Sequence, residues 1–141
     1  MPTAATVAES AAELRMTLGR LVRRLRAENT FSLSHASVLA RLETDGPQTA
    51  SALAAAERVR PQSMAVTIAE LKSAGYVSGR PDPIDRRKVL IEITESGLTQ
   101  LNSDRLRREG WLAQTISTEL SGEEQEILIR AVSLLNRIAQ S

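Results

Sequence analysis

The 141-residue sequence contains no cysteine, which excludes disulfides, thiolate metal ligands, cysteine nucleophiles and thiol redox sensors. Aromatic residues are almost absent as well, with one Phe, one Tyr and one Trp. The core must therefore be aliphatic, a composition that favours helices. No apolar run has the length of a membrane span or of the core of a secretion signal. We expect a cytoplasmic protein of one domain, or of a small domain with an oligomerisation extension.

Features of enzymes and metalloproteins are also lacking. The seven glycines lie mostly at predicted turns and form no phosphate-binding loop. The sequence has no nucleophile elbow and no recognisable pairing of acid and base residues. The only histidine, His35, has no cysteine near it with which to bind a metal. We predict no catalytic activity, no metal site and no cofactor.

Charge is unevenly distributed, although the formal net charge is only +1. Residues 80–90 carry four basic side chains against two acidic ones, whereas residues 95–141 carry five basic against seven acidic. This asymmetry is typical of a nucleic-acid-binding surface in the first segment and of a different role for the second.

The most informative segment is a basic cluster directly before an alternating apolar stretch. The run Asp85-Arg86-Arg87-Lys88 precedes residues 89–93, whose Val and Ile side chains fall on one face of a strand. A second strand-like stretch lies at residues 76–78, and turn-forming prolines and aspartates separate the two. The pattern predicts a β-hairpin with arginines at its tip, which is the shape of a DNA-binding wing.

Helical patterns precede the hairpin. Leucines recur every three or four residues within residues 9–28, which predicts a helix after a disordered lead-in at residues 1–8. Cap and start signals then predict three further helices, beginning after Ser34, after Thr49 and at Pro61. The order of helix, short helix, turn, helix and basic hairpin indicates a winged helix-turn-helix.

Two more helices are predicted after the hairpin. The first follows Thr94 and continues to about residue 118, and the second begins with a capping box formed by Ser121 and Glu124. The last helix has an apolar face that is too wide for one neighbouring element to cover. A second subunit is the natural partner for that face.

These motifs, in this order, resemble those of the MarR (multiple-antibiotic-resistance regulator) family of bacterial transcription factors. The strongest match is Asp85-x-Arg87, five residues, then Ile93-Thr94-x-x-Gly97, where Ile93 stands in place of the family's leucine. Three further matches are Gly75-Tyr76-Val77, Arg80-Pro81-Asp82-Pro83 and Leu53-Ala54. The resemblance covers the chain from about Leu14 to the end.

The resemblance implies a homodimer of mainly α-helical subunits with a small β-hairpin. Each subunit would be a winged helix-turn-helix with N- and C-terminal dimerisation helices. The expected division is a dimerisation helix and linker at residues 9–33, a DNA-binding domain at 34–94 and dimerisation helices at 95–141. The recognition helix would enter the major groove, and the wing would reach the minor groove.

The resemblance also implies roles for the wing residues. Arg87 matches the arginine that enters the minor groove, where a guanidinium suits the concentrated negative potential. Asp85 matches the aspartate that orients this arginine, although it could instead shape the turn as an Asx residue. Arg86 and Lys88 are expected to contact phosphate or solvent.

On the predicted recognition helix, the face opposite Met64, Ile68 and Leu71 should meet DNA. The polar side chains on this face could contact base edges or phosphates. They are Arg60, Gln62, Ser63 and Thr67.

His35 has two interpretations. It is either an ordinary surface or capping residue or a contact for a small-molecule effector bound between the dimer helices and the DNA-binding part. Ala36 stands where an aromatic residue is common in the family, which weakens the case for a stacked aromatic effector.

The function predicted from these features is a dimeric, sequence-specific regulator of transcription that binds double-stranded DNA. We expect a repressor of pseudopalindromic operators, with relief by a small-molecule effector as a further hypothesis. The alternative is a winged-helix protein-interaction module without DNA binding.

Overall fold

A computed structural model describes residues 1–141 as six helices and a small three-stranded sheet. In chain order the elements are α1 (Ala4–Arg26), α2 (Leu33–Asp45), β1 (Gln48–Thr49), α3 (Ala50–Glu57), α4 (Pro61–Ser73), β2 (Val77–Pro81), β3 (Val89–Ile93), α5 (Glu95–Glu119) and α6 (Gly122–Ala139). The predicted fold class, mainly helical with a small β-hairpin, is confirmed. None of the helices combines the length and the apolar character needed to cross a membrane.

Several helix boundaries follow the predicted local signals. Thr49, Thr94 and Ser121 each accept a hydrogen bond at the side chain from the backbone N–H three residues later, and the capping box at Ser121 is complete. Pro61 is the first residue of α4, where its missing N–H costs no helical hydrogen bond. Gly75 follows that helix with φ of +81°, a left-handed conformation that favours glycine.

Two predicted boundaries are wrong. Residues 1–8, expected to be a disordered lead-in, are helical from Ala4, because the Thr3 hydroxyl caps the helix and alanine has the highest helix propensity. The second helix begins at Leu33 rather than after Ser34, since the Ser32 hydroxyl accepts the capping hydrogen bond from the His35 backbone N–H.

The sheet contains one strand more than the predicted hairpin. β2 and β3 pair in an antiparallel register that places Val77 opposite Ile93 and Pro81 opposite Val89. β1 adds to the other edge of β3, with Gln48 opposite Ile91. The sheet fixes the base of the wing, and residues 82–88 form its tip.

The core lies between α2, α3, α4, β3 and the first half of α5. Its twelve buried side chains are Phe31, Val38, Leu39, Leu42, Leu53, Ala54, Met64, Ile68, Leu71, Val77, Ile91 and Leu101. The core is aliphatic, as predicted, apart from Phe31, which packs edge-to-face on Tyr76 with ring centroids 5.0 Å apart. α1 and α6 contribute no fully buried residue.

A buried carboxylate joins α5 to the loop between α1 and α2. Asp104 is 1% exposed, and its Oδ2 accepts hydrogen bonds from the backbone N–H groups of Thr30 (2.8 Å) and Phe31 (3.3 Å). Its Oδ1 accepts from Gln100 Nε2 (3.2 Å) and from the Arg107 guanidinium. This cluster, which we call the Asp104 junction, attaches the long helix α5 to the winged-helix core.

The Thr94-x-x-Gly97 motif has a packing explanation. The Thr94 hydroxyl donates to the Gly75 carbonyl (2.7 Å) and accepts from the Gly97 backbone N–H (3.1 Å). A Cβ atom at Gly97 would overlap the carbonyl oxygen of Tyr76, so only glycine allows α5 to start this close to the wing.

Candidate nucleic-acid interface

The helix-turn-helix consists of α3 and α4, joined by a turn of three residues. Arg58 in this turn has φ of +55°, the only positive φ of a non-glycine residue, and the Val59 backbone N–H donates to the Ala54 carbonyl (3.0 Å). Met64, Ile68 and Leu71 of α4 are buried, as the predicted core face requires. The opposite face of α4 is therefore directed to solvent.

The four recognition-helix residues predicted to contact DNA do not share one face. Arg60 is the N-cap residue and Gln62 lies on the outward face, and both are exposed. Ser63 and Thr67 lie on the flank, where they line a groove toward α2. The Thr67 hydroxyl donates to the Ser63 carbonyl (3.2 Å), which leaves its oxygen available to accept a hydrogen bond.

Val66 was missed by the sequence interpretation. Its side chain is 57% exposed on the outward face of α4, one turn after Gln62. An apolar residue within a helix is usually assigned to the core, and only its spacing from Gln62 and from the three buried side chains could have placed it outside.

His35 pairs with an acidic residue of α4. Its Nε2 lies 2.9 Å from Glu70 Oε2, so the two side chains connect α2 to α4. The Glu70 carboxylate is thereby directed toward α2. His35 does not line the cavity that lies between α1, α2 and α5.

The tip of the wing holds an arginine in an exposed, fixed position. Arg87 Nε lies 3.1 Å from Asp85 Oδ1, and Arg87 Nη2 lies 3.4 Å from Asp85 Oδ2. The Asp85 carboxylate also accepts a hydrogen bond from the Arg87 backbone N–H (3.2 Å), so it shapes the turn and contacts the guanidinium at once. These hydrogen bonds hold the pKa of Asp85 below its usual value, and the bond from the Arg87 side chain contributes most. The Arg87 side chain remains 92% exposed.

The other cations of the wing differ in their partners. Arg86 and Lys88 are exposed and form no ion pair, whereas Arg80 is paired with Glu92 (3.3 Å). Lys88 lines a shallow depression together with Ser51 at the first turn of α3. A lysine beside a helix N-terminus is a favourable position for a phosphate group, because backbone N–H groups and the helix dipole add to the lysine charge.

A cavity of about 390 Å³ lies between α1, α2 and α5. Its eleven lining residues combine aliphatic side chains with three arginines and contain no aromatic ring; they are Val22, Leu25, Arg26, Asn29, Leu33, Ala36, Ser37, Ala40, Leu101, Arg105 and Arg108. We call it the arginine cavity. Arg105 is paired with Glu43 (2.8 Å) and Arg108 donates to Asn29, whereas Arg26 forms no ion pair.

Comparison with known proteins decides the family. The MarR family model matches residues 31–89, which span α2 through the start of β3. An HTH-type transcriptional regulator of Mycobacterium tuberculosis is 41% identical over 131 residues, which cover 91% of each chain. The chain belongs to the MarR family of transcriptional regulators. This membership confirms the prediction that the protein is not an enzyme.

Solved structures of relatives share the whole MarR fold. A transcriptional regulator protein of Pseudomonas aeruginosa PA01 is 33% identical, with 99% of each chain covered and a TM-score of 0.86. A mutant of S. aureus MepR bound to an oligodeoxyribonucleotide is 16% identical, covers 92% of this chain and 97% of its own, and has a TM-score of 0.73. The MepR structure is therefore similar in fold.

Proposed function

We propose that this MarR-family regulator is a homodimer that represses transcription by occupying pseudopalindromic operators in double-stranded DNA. The observation that best supports this proposal is at the wing tip, where Asp85 holds the Arg87 guanidinium and 92% of the Arg87 side chain stays exposed. A fixed, accessible arginine loses little conformational entropy when it enters a narrow minor groove. S. aureus MepR, which is similar in fold, was solved with a bound oligodeoxyribonucleotide, and this supports DNA as the ligand of the present protein.

The remaining contacts follow from the exposed groups. We expect Gln62 to pair with an adenine edge, and Arg60 to contact guanine or phosphate. Arg86, Lys88 and the first turn of α3 supply phosphate contacts, which set affinity and register. Because phosphate contacts release counterions, affinity should fall steeply as salt concentration rises.

Selection of random duplex DNA with the purified protein tests this proposal. We expect enrichment of one inverted repeat whose half-sites lie about one helical turn, roughly 34 Å, apart. A run-off transcription assay with that repeat overlapping the promoter should then give less transcript as protein is added. A folded dimer that enriches no sequence would contradict the proposal and favour the alternative, a winged helix that binds a protein partner.

The dimer is inferred from the apolar surfaces of the terminal helices. α1 and α6 have no buried residue, yet both expose large apolar side chains. The most exposed of these are Val7, Leu14, Met16, Leu18, Val22, Ile127, Ile129, Val132, Leu134 and Ile138. Apolar surface of this extent is typical of a subunit interface.

Replacing Leu134 with arginine should dissociate the dimer, because a charge would be desolvated in an apolar interface. Sedimentation velocity should show a monomer at concentrations where the unaltered protein is dimeric, and operator affinity should fall with it. Ser133→Arg on the polar face of α6 introduces the same side chain and should stay dimeric. If the Leu134→Arg protein sediments as a dimer, this part of α6 does not lie in the dimer interface.

We infer that the effector is an aliphatic carboxylate bound in the arginine cavity. The aliphatic lining suits a hydrocarbon chain, and the Arg26 guanidinium, which forms no ion pair, suits a carboxylate. A ligand there would contact α1, α2 and α5, and so would change how the DNA-binding part sits on the dimer helices.

Octanoate and octanol provide a matched pair of probes for this cavity. Octanoate should release labelled operator at lower concentration than octanol, because only the acid can pair with Arg26. The Arg26→Ala protein should bind the operator normally and lose the difference between the two probes. Equal release by octanoate from both proteins would place the effector elsewhere.

A further inference from the structure

The outward face of α4 carries a strip of three exposed side chains, of which two are apolar. Gln62, Val66 and Ala69 follow one another at spacings of four and three residues, so they share one face of the helix, and all three are exposed. Val66 is 57% exposed and stands at the middle of this strip. Val66 makes no core contact that would explain an apolar residue there, since the buried residues of α4 lie on the opposite side.

The polar neighbours of Val66 are directed away from the strip. Thr67 and Ser63 line the groove toward α2, and the Thr67 hydroxyl donates a hydrogen bond to the Ser63 backbone carbonyl. Glu70 is drawn toward α2 by His35. The centre of the outward face therefore offers methyl groups, with the Gln62 amide one turn before them.

The major groove contains one strongly apolar feature, the C5-methyl group of thymine. We propose that Val66 recognises a thymine methyl in each half-site of the operator. This inference rests on the proposed DNA-binding function and adds a specificity-determining residue to it. Four residues of helix rise about 6 Å, and base pairs are stacked about 3.4 Å apart, so the adenine read by Gln62 should lie within about two base pairs of this thymine.

Deoxyuridine isolates the contact, because it differs from thymidine only by the missing C5-methyl. Each thymine of the selected operator is replaced in turn, symmetrically in both half-sites, and the affinity is measured by fluorescence anisotropy. Burying one methyl-sized group contributes about a fourfold change in affinity, so the two half-sites together should lose roughly tenfold or more at one thymine position. Val66→Ala should weaken binding to the thymine operator and make that position insensitive to deoxyuridine.

Val59→Ala is the matched control, since Val59 is also an exposed valine but lines the groove toward α2. This variant should keep the full deoxyuridine sensitivity. The inference is overturned if no thymine position responds, or if Val66→Ala keeps the sensitivity. Circular dichroism verifies that both variants are folded. A protein that selects no operator at all would overturn the DNA-binding function and this inference together, whereas an operator without a methyl response would overturn the inference alone.

Discussion

Replacing Arg87 with alanine is expected to weaken operator binding by on the order of 1–3 kcal/mol for each subunit while leaving the fold intact. The side chain is almost fully exposed and forms its hydrogen bonds and its ion pair with Asp85, so its removal should leave the core unchanged. Fluorescence anisotropy at two or more salt concentrations measures the loss. Arg87→Lys should recover part of the salt-dependent affinity, because lysine keeps the charge but lacks the planar fork that Asp85 holds.

Two substitutions of Asp85 separate its two roles. Asp85→Asn keeps a side-chain oxygen that can accept from the Arg87 backbone N–H, and so keeps the turn, but it removes the charged pairing with the guanidinium. Asp85→Ala removes both. If the aspartate acts on DNA binding by orienting Arg87, both variants should lose affinity. Normal DNA binding by Asp85→Asn would show that Asp85 acts only by shaping the turn. Normal DNA binding by Arg87→Ala would show that the wing does not contact the operator.

The second large effect is expected on stability. Asp104→Ala should lower the free energy of unfolding by about 3 kcal/mol, because it leaves the backbone N–H groups of Thr30 and of the buried Phe31, and the Arg107 guanidinium, without their acceptor. Chemical denaturation measures the difference. Glu109→Ala removes an exposed carboxylate from the same helix and should change stability by no more than about 0.5 kcal/mol. A similarly small effect of Asp104→Ala would contradict the structural role of the junction.

The Asp104 junction also predicts a dependence on pH. Burial raises the pKa of Asp104, but the hydrogen bonds from Thr30, Gln100 and Phe31 outweigh it, so the pKa in the folded protein lies below its usual value. The stabilisation by the ionised Asp104 is therefore fully present above the pKa of aspartate in the unfolded chain, which is about 3.9. It is lost as the pH falls through the lower pKa of Asp104 in the folded protein. The stability difference between the unaltered protein and Asp104→Asn should be constant near neutral pH and shrink below about pH 4.

Local signals in the sequence were sufficient for most of the fold. Caps such as Thr49 and Thr94, and the glycine at position 75, act through hydrogen bonds and backbone angles of neighbouring residues. β1 escaped notice because two residues give no alternating pattern. The start of α1 was missed because a run rich in alanine has helix propensity but no apolar stripe.

Features that depend on distant parts of the chain could not be read from the sequence. Asp104 and Thr30 are 74 positions apart, so nothing local marks that aspartate as buried. The pairing of His35 with Glu70 joins two helices in the same way. The contact at the wing tip could be predicted from the sequence, because Asp85 and Arg87 are two residues apart and their contact depends on a single turn. The exposure of Val66 could have been predicted, because its spacing from Met64, Ile68 and Leu71 places it on the face opposite the core.

Hydroxyl-radical footprinting of the protein on its selected operator would test the central claim most directly, because the radical attacks the sugars that line the minor groove. Two symmetric half-sites about one helical turn apart should be protected, each with a flanking minor-groove segment whose protection disappears in the Arg87→Ala protein. A footprint without two-fold symmetry, or flanking protection that persists without Arg87, would contradict a dimer that reads DNA with both its recognition helices and its wings.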